Sequence, residues 1–223
     1  MLVVVGGHTR NIGKTSVVAG LIAALPELNW TAIKITQYGH GQCSSDGERC
    51  ECAVTDVEHP CAISREMDSG SGTDSSRYLA AGARRSYWVR TAIGQLAYAL
   101  PEMRRIFETS EHVIIESNSI LQFFKPDVYV AVLDFGLKDF KQTSLVSLDR
   151  ADALIVIDHG EEQPLWSGVA RGLWDSKQQF RVQPPQYVTA DMAAFVKGRL
   201  SSSTIPSGAT AGCDPNTGPC AAR

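Results

Sequence analysis

The stretch Gly7-His8-Thr9-Arg10-Asn11-Ile12-Gly13-Lys14-Thr15-Ser16 constrains this 223-residue chain more than any other. It follows a β-branched run, Leu2 to Val5, and opens a segment of helical character, Lys14 to Leu25. A glycine-bounded loop in that position turns its backbone N–H groups and the N-terminus of the next helix onto one point, which makes an anion site. A lysine directly after the second glycine reaches the β- and γ-oxygens of a triphosphate, and the hydroxyl that follows, Thr15, is placed to bind Mg²⁺. Counted from Gly7, the loop is one residue longer than G-x-x-x-x-G-K-[ST], because His8 stands where the shorter form has its first glycine. Residues 7–16 are therefore the expected site for ATP or GTP.

Around this loop, short β-branched runs alternate with helical stretches, the pattern of an α/β fold with a mostly parallel sheet and helices on both faces. Strands are expected at Leu2 to Val5, Thr31 to Thr36, Ser86 to Val89, His112 to Glu116, Val128 to Leu133, Ala153 to Ile157 and Gln186 to Thr189. Helices are expected at Lys14 to Leu25, Asp74 to Ala83, Gly94 to Glu108, Gln163 to Trp174 and Asp191 to Leu200. This gives one nucleotide-binding domain over residues 1–200. Two regions interrupt the alternation. Residues 37–72 form a Cys-rich insertion after the second strand, and residues 201–223 are too poor in apolar groups to order themselves and are expected to be a disordered tail.

A phosphate loop needs an acidic partner at the end of a neighbouring parallel strand. The run His112-Val113-Ile114-Ile115-Glu116 ends in one, at the sheet edge where ligands bind in such folds. Lys14 and Glu116 are thus the expected catalytic pair, with Thr15 and Glu116 about Mg²⁺. Asp134, Asp149, Asp158, Glu161 and Glu162 are weaker candidates, since each equally suits a cap or a turn.

Composition narrows the partners. Lys and Arg total 21 against 24 Asp and Glu, a net charge of −3, so there is no basic surplus for nucleic acid. No apolar run is long enough for a membrane span. The apolar opening Met1 to Val5 lacks a basic flank and runs into Gly6-Gly7, which speaks against a secretory leader and for a cytoplasmic protein. In a reducing compartment the six cysteines are then ligands, reactive thiols or core residues sooner than disulfides. Cys43, Cys50, Cys52 and Cys61 fall within nineteen residues of low apolar content. That density suits Zn²⁺ or an iron–sulfur cluster, with a redox pair or unconnected thiols as the alternatives and His40 and His59 as further ligands.

Two families share these features. The extended loop, a second strand running into Lys34 and the strand ending in Glu116 resemble dethiobiotin synthetase. The stretch Asp74-Ser75-Ser76-Arg77-Tyr78-Leu79-Ala80-Ala81-Gly82-Ala83, followed by a strand, resembles the D-[ST]-x-R-x-x-x-A-G-A stretch of the MobB family, small GTP-binding proteins of molybdopterin-guanine dinucleotide synthesis. Both are P-loop NTPases. The MobB resemblance implies slow, Mg²⁺-dependent ATP or GTP hydrolysis coupled to cofactor or metallocofactor synthesis, with Lys34, Asp74 and Arg77 near the nucleotide and a homodimer as assembly. The dethiobiotin-synthetase resemblance implies an ATP-dependent ligase whose Lys34 helps hold an acidic substrate. A third reading is a nucleotide-gated metallochaperone or adaptor that serves a partner protein. The chain departs from MobB after the second strand, where Lys34-Ile35-Thr36-Gln37-Tyr38-Gly39-His40 replaces a Lys-His-x-His-His-like run, and at Glu116-Ser117-Asn118, where Glu-Gly is usual. It also lacks an Asn-Lys-x-Asp guanine reader, reading Ile157-Asp158-His159 instead.

Overall fold

The computed structural model describes residues 1–38 and 60–202. In chain order the elements are β1 (Leu2–Gly7), α1 (Lys14–Ala24), β2 (Thr31–Tyr38), β3 (Cys61–Arg65), α2 (Asp74–Ala80), β4 (Arg85–Ala92), α3 (Leu100–Glu108), β5 (Val113–Glu116), β6 (Val128–Asp134), α4 (Gln142–Leu145), β7 (Ala153–Ile157), β8 (Gln179–Val182) and α5 (Ala190–Ser202). The strands form one sheet in the order β3-β4-β2-β5-β1-β6-β7-β8. All neighbours are parallel except the edge pair β3 and β4. A central β1 whose loop leads into α1, flanked by a parallel strand ending in Glu116, is the mostly parallel α/β arrangement that the sequence leads one to expect.

The central strands are buried on both faces, which is why they read as continuous apolar runs. Along β1, Val3 and Val5 face a core with Val17, Leu21, Tyr78, Met192 and Val196, whereas Val4 faces a second core with Ile33, Met103, Leu133 and Trp174. The alternation follows from the period-2 pleat. The parallel direction of β1, β2 and β5 places their C-terminal ends at one edge of the sheet.

Several expectations are corrected. Gln186 to Thr189 is no strand; it follows Pro184-Pro185 and lies over α1, and the last strand is Gln179–Val182. Proline has no N–H for a ladder, whereas Gln-Phe-Arg-Val alternates cleanly, exposed Arg181 between buried Phe180 and Val182. Gln163 to Trp174 is not a helix either. Pro164, Gly168 with φ +78° and Gly172 interrupt it, leaving a 3₁₀ turn at Arg171–Leu173, while Trp166 and Trp174 cover the second core. Within Gly94 to Glu108 a 3₁₀ turn, Leu96–Ala99, precedes α3, which starts at Leu100. Finally, the expected insertion of 37–72 is shorter at both ends. Gln37 and Tyr38 complete β2, and Cys61–Arg65 forms the antiparallel edge strand with Cys61 opposite Thr91. Residues 39–59 and the expected tail beyond Ser202 lie outside the described residues.

Candidate functional site

The phosphate loop is shaped by two left-handed residues, Asn11 with φ 55° and Gly13 with φ 86°. Gly13 must be glycine twice over, because a Cβ there would also stand 2.4 Å from the Tyr187 ring. The loop start is pinned by Asn118. Its Oδ1 accepts from the Gly7 N–H and its Nδ2 donates to the Gly7 carbonyl, both at 2.9 Å. The Lys14 ammonium curls back to the Thr9 carbonyl at 2.6 Å, and burial pushes its pKa down to about 8.

Behind the loop, Glu116 is 4% exposed and is the hub of a network. Its carboxylate accepts from Thr15 Oγ1 at 2.7 Å, from Lys34 Nζ at 2.5 Å and from the Tyr78 hydroxyl. Burial alone would raise the Glu116 pKa, but the charges of Lys34 and Lys14 outweigh it and hold the carboxyl below its usual range. Lys34 also pairs with Asp74 at 2.7 Å, and the two carboxylates raise its pKa against the cost of burial. Burial, then the Glu116 charge, lifts Tyr78 well above an ordinary phenol, so it stays a donor.

Helix α2 therefore docks on the loop through one face. Thr73, not Asp74, is its N-cap, which frees Asp74 for Lys34. Arg77 Nη2 donates to Ser16 Oγ at 2.9 Å, and Tyr78 reaches Glu116. The fold brings Lys14, Thr15, Ser16, Lys34, Asp74, Arg77 and Glu116 together. Tyr78 joins them because positions 74, 77 and 78 share a helical face. Asn118, Asp139 and Tyr187 also meet the loop, and no local motif marks them.

Three loop residues act otherwise than expected. His8 is fully buried and its side chain cannot meet phosphate: its ring bonds the Asp139 carbonyl at 2.8 Å and the Asp134 N–H at 3.0 Å, and its own N–H donates to Val132. Ile12 is buried in the core under α1, and Thr9 directs its hydroxyl to Asp139. These three shape the loop from behind. Among the weaker carboxylates, Asp134 bonds the Gly136 N–H at 2.9 Å and His159 at 3.1 Å, Asp158 bonds the Gly160 N–H, and Asp149 is exposed in a 3₁₀ turn.

Thr15 Oγ1 and the Glu116 carboxylate are hard oxygen donors in contact, the donor set that Mg²⁺ takes. Among the described residues no three His, Cys, Asp or Glu side chains gather as a metal cage. Mg²⁺ requires none, since it binds through one or two protein oxygens, substrate phosphates and water. Of the cysteines, Cys61 is described; it starts an edge strand, and burial pushes its thiol up. Cys43, Cys50 and Cys52 lie outside the described residues.

No protein-family model matches the chain, and no curated protein does. Among solved structures, LpxK from Aquifex aeolicus, in an apo form with ATP, is 17% identical with a TM-score of 0.45, over 81% of this chain and 53% of its own. HypB from Helicobacter pylori, in complex with nickel, is 13% identical with a TM-score of 0.47, over 90% of this chain and 86% of its own. This chain thus spans about half the length of LpxK. The likeness is one of backbone course.

Proposed function

We propose that this chain binds ATP or GTP with Mg²⁺ at the phosphate loop, hydrolyses it slowly, and couples that turnover to cofactor or metallocofactor synthesis in the manner of MobB-like proteins. One observation carries the reading: Thr15, Glu116, Lys34 and Asp74 form a single continuous network directly behind the phosphate loop. Lys14 and the loop amides neutralise the β- and γ-oxygens. Thr15 and Glu116 would hold Mg²⁺, which would supply Lewis-acid offset of the phosphate charge. Arg77 braces the first turn of α1 through Ser16. Glu116 already receives three donors, so it is engaged in positioning and does not stand ready as a base toward water; this supports slow basal turnover. The D-[ST]-x-R stretch supports the MobB-like reading because it lies on the loop. The ligase reading has less support, since Glu116 and Asp74 take up the Lys34 ammonium that would hold an acidic substrate.

Lys14→Ala is the test. Among the described residues its ammonium bonds a loop carbonyl, so the fold should persist, while affinity for Mg-ATP and Mg-GTP falls about tenfold or more in equilibrium binding. Unchanged affinity for both overturns the reading.

A further inference from the structure

Near the ligand edge of the sheet stands a cation without an anion. Arg90 lies toward the C-terminal end of β4, where its register partner on β2 is Thr36, and the partner of Lys34 is Trp88. Side chains in register across parallel strands point to one face, so Arg90, Trp88 and Thr36 share the face of Lys34 and of its other partner, Glu116. Arg90 stands two residues beyond Lys34 in the strand direction and one strand further out, about 7 Å by about 5 Å.

The arginine is held in place. Its guanidinium carbon lies 4.5 Å from the centre of the Trp88 ring, and the indole is itself fixed because its Nε1 donates to Thr36 Oγ1 at 3.0 Å. On the far side, antiparallel β3 sets Ala62 opposite Arg90 and Ser64 opposite Trp88. The positions flanking the stacked pair thus carry small, uncharged side chains, and Arg90 and Trp88 are both half-buried.

What this arginine lacks is an acceptor. Among the described residues it makes no ion pair and no hydrogen bond, and its Nε is buried without a partner. The carboxylates of the neighbouring network do not supply one, since Glu116 and Asp74 take Lys34 at 2.5 and 2.7 Å. A desolvated N–H without an acceptor is costly to keep. Stacking on the indole satisfies none of the guanidinium donors; it fixes their plane and leaves the fork for a planar or tetrahedral oxyanion. Lys34 is engaged by the network behind the phosphate loop, whereas Arg90 is left open for an acidic ligand.

Resting on the nucleotide reading above, we infer that Arg90, held on Trp88 beside Thr36, anchors an oxyanion group, phosphate or carboxylate, of a second small-molecule ligand that lies next to the nucleotide.

The test is oxyanion binding by the full chain loaded with Mg²⁺ and the β,γ-imido analogue of ATP or GTP, which fills the phosphate loop and keeps the probe from it. The probes are inorganic phosphate and succinate, followed by titration calorimetry. Loaded wild type should bind phosphate or succinate saturably below about 10 mM, and the tighter of the two identifies the group as phosphate or carboxylate. Arg90→Met keeps the stem on the indole and removes the charge and the donors, so it should weaken that binding about tenfold or more. Arg90→Lys keeps the charge without the planar fork and should retain part of it. Should Arg90→Met fail to fold, Arg90→Gln carries the same comparison. Loaded wild type that binds neither probe, or a neutral variant that binds as wild type does, overturns the inference. The two readings fail separately. Unchanged triphosphate affinity in Lys14→Ala removes the nucleotide site, whereas nucleotide-loaded Arg90→Met with wild-type oxyanion binding removes only the site for the second ligand.

Discussion

Glu116 shows how one residue is held in one state. A fully buried carboxylate would ordinarily take up a proton, yet two lysines keep it ionised and three donors fix its orientation. Glu116→Gln keeps the volume and removes the charge. Turnover and Mg²⁺ affinity should fall between about 10- and 100-fold, as for residues that orient a metal shell, while affinity for metal-free nucleotide changes little. Mg²⁺ titrations of steady-state hydrolysis measure this, and an unaltered titration returns Glu116 to a purely structural role. His8 illustrates the opposite strategy. Burial pushes its pKa from 6.5 to about 4, against the raising influence of the Asp139 bond and Asp134, with Lys14 lowering it further. The unfolded chain therefore takes a proton between pH 6.5 and about 4 that the folded chain refuses. The contribution is fully present above pH 6.5 and is lost as pH falls toward 4, on the order of 3 kcal/mol in all. Urea midpoints at pH 7 and pH 5 should show that slope, and His8→Phe should flatten it even though the variant is less stable at both.

Among the elements, the connection from β8 to α5 does more than join them. Tyr187 lies on Gly13, and Val188 lies on Gly20, where a Cβ would meet Val188 Cγ2 at 2.6 Å. The last connection is thereby seated on the phosphate loop and on α1. Gly13→Ala combines a left-handed backbone with this collision and should cost about 1–3 kcal/mol in urea unfolding. Adding Tyr187→Ala should recover the steric part and leave the backbone part, so a double-mutant cycle gives a coupling of the opposite sign to a lost contact. Zero coupling would show that Tyr187 does not press on Gly13 in solution. The thiol-rich run before β3 is a proposal from sequence alone. Protein purified without oxygen should carry Zn²⁺ or be brown with iron–sulfur, and serine at Cys50 and Cys52 should remove the metal. Metal-free wild type with freely titrating thiols excludes that centre.

For the whole molecule, a ligand that joins the loop to α2 through Thr15, Glu116 and Asp74 should stiffen the sheet edge and raise global stability. At a concentration of about 100 times Kd, Mg-triphosphate adds about 2.7 kcal/mol, which for a chain of this size moves Tm by about 5–10 °C. Lys14→Ala should lose that increment in calorimetry while keeping its unliganded Tm. Among the described residues no helix is long and apolar enough to cross a membrane. Long strands buried on both faces leave the sheet's ligand edge as the part of this architecture open to a small molecule.

The central strands, α1 and the loop residues Gly13, Lys14 and Thr15 were legible in the sequence, because burial on both faces and a glycine-lysine-threonine turn write themselves into consecutive residues. Glu116 and the Asp74-Arg77 stretch were legible for the same reason, each being local to one strand end or one helical turn. Tertiary structure alone decided that His8 faces the core, that Asn118 holds Gly7 by both its amide atoms, and that Asp139 holds His8 and Thr9. Those assignments join residues more than a hundred positions apart. Parallel strands bring such residues together only after the crossovers have closed, and no local periodicity or spacing records which distant side chain will fill the space beside a given one.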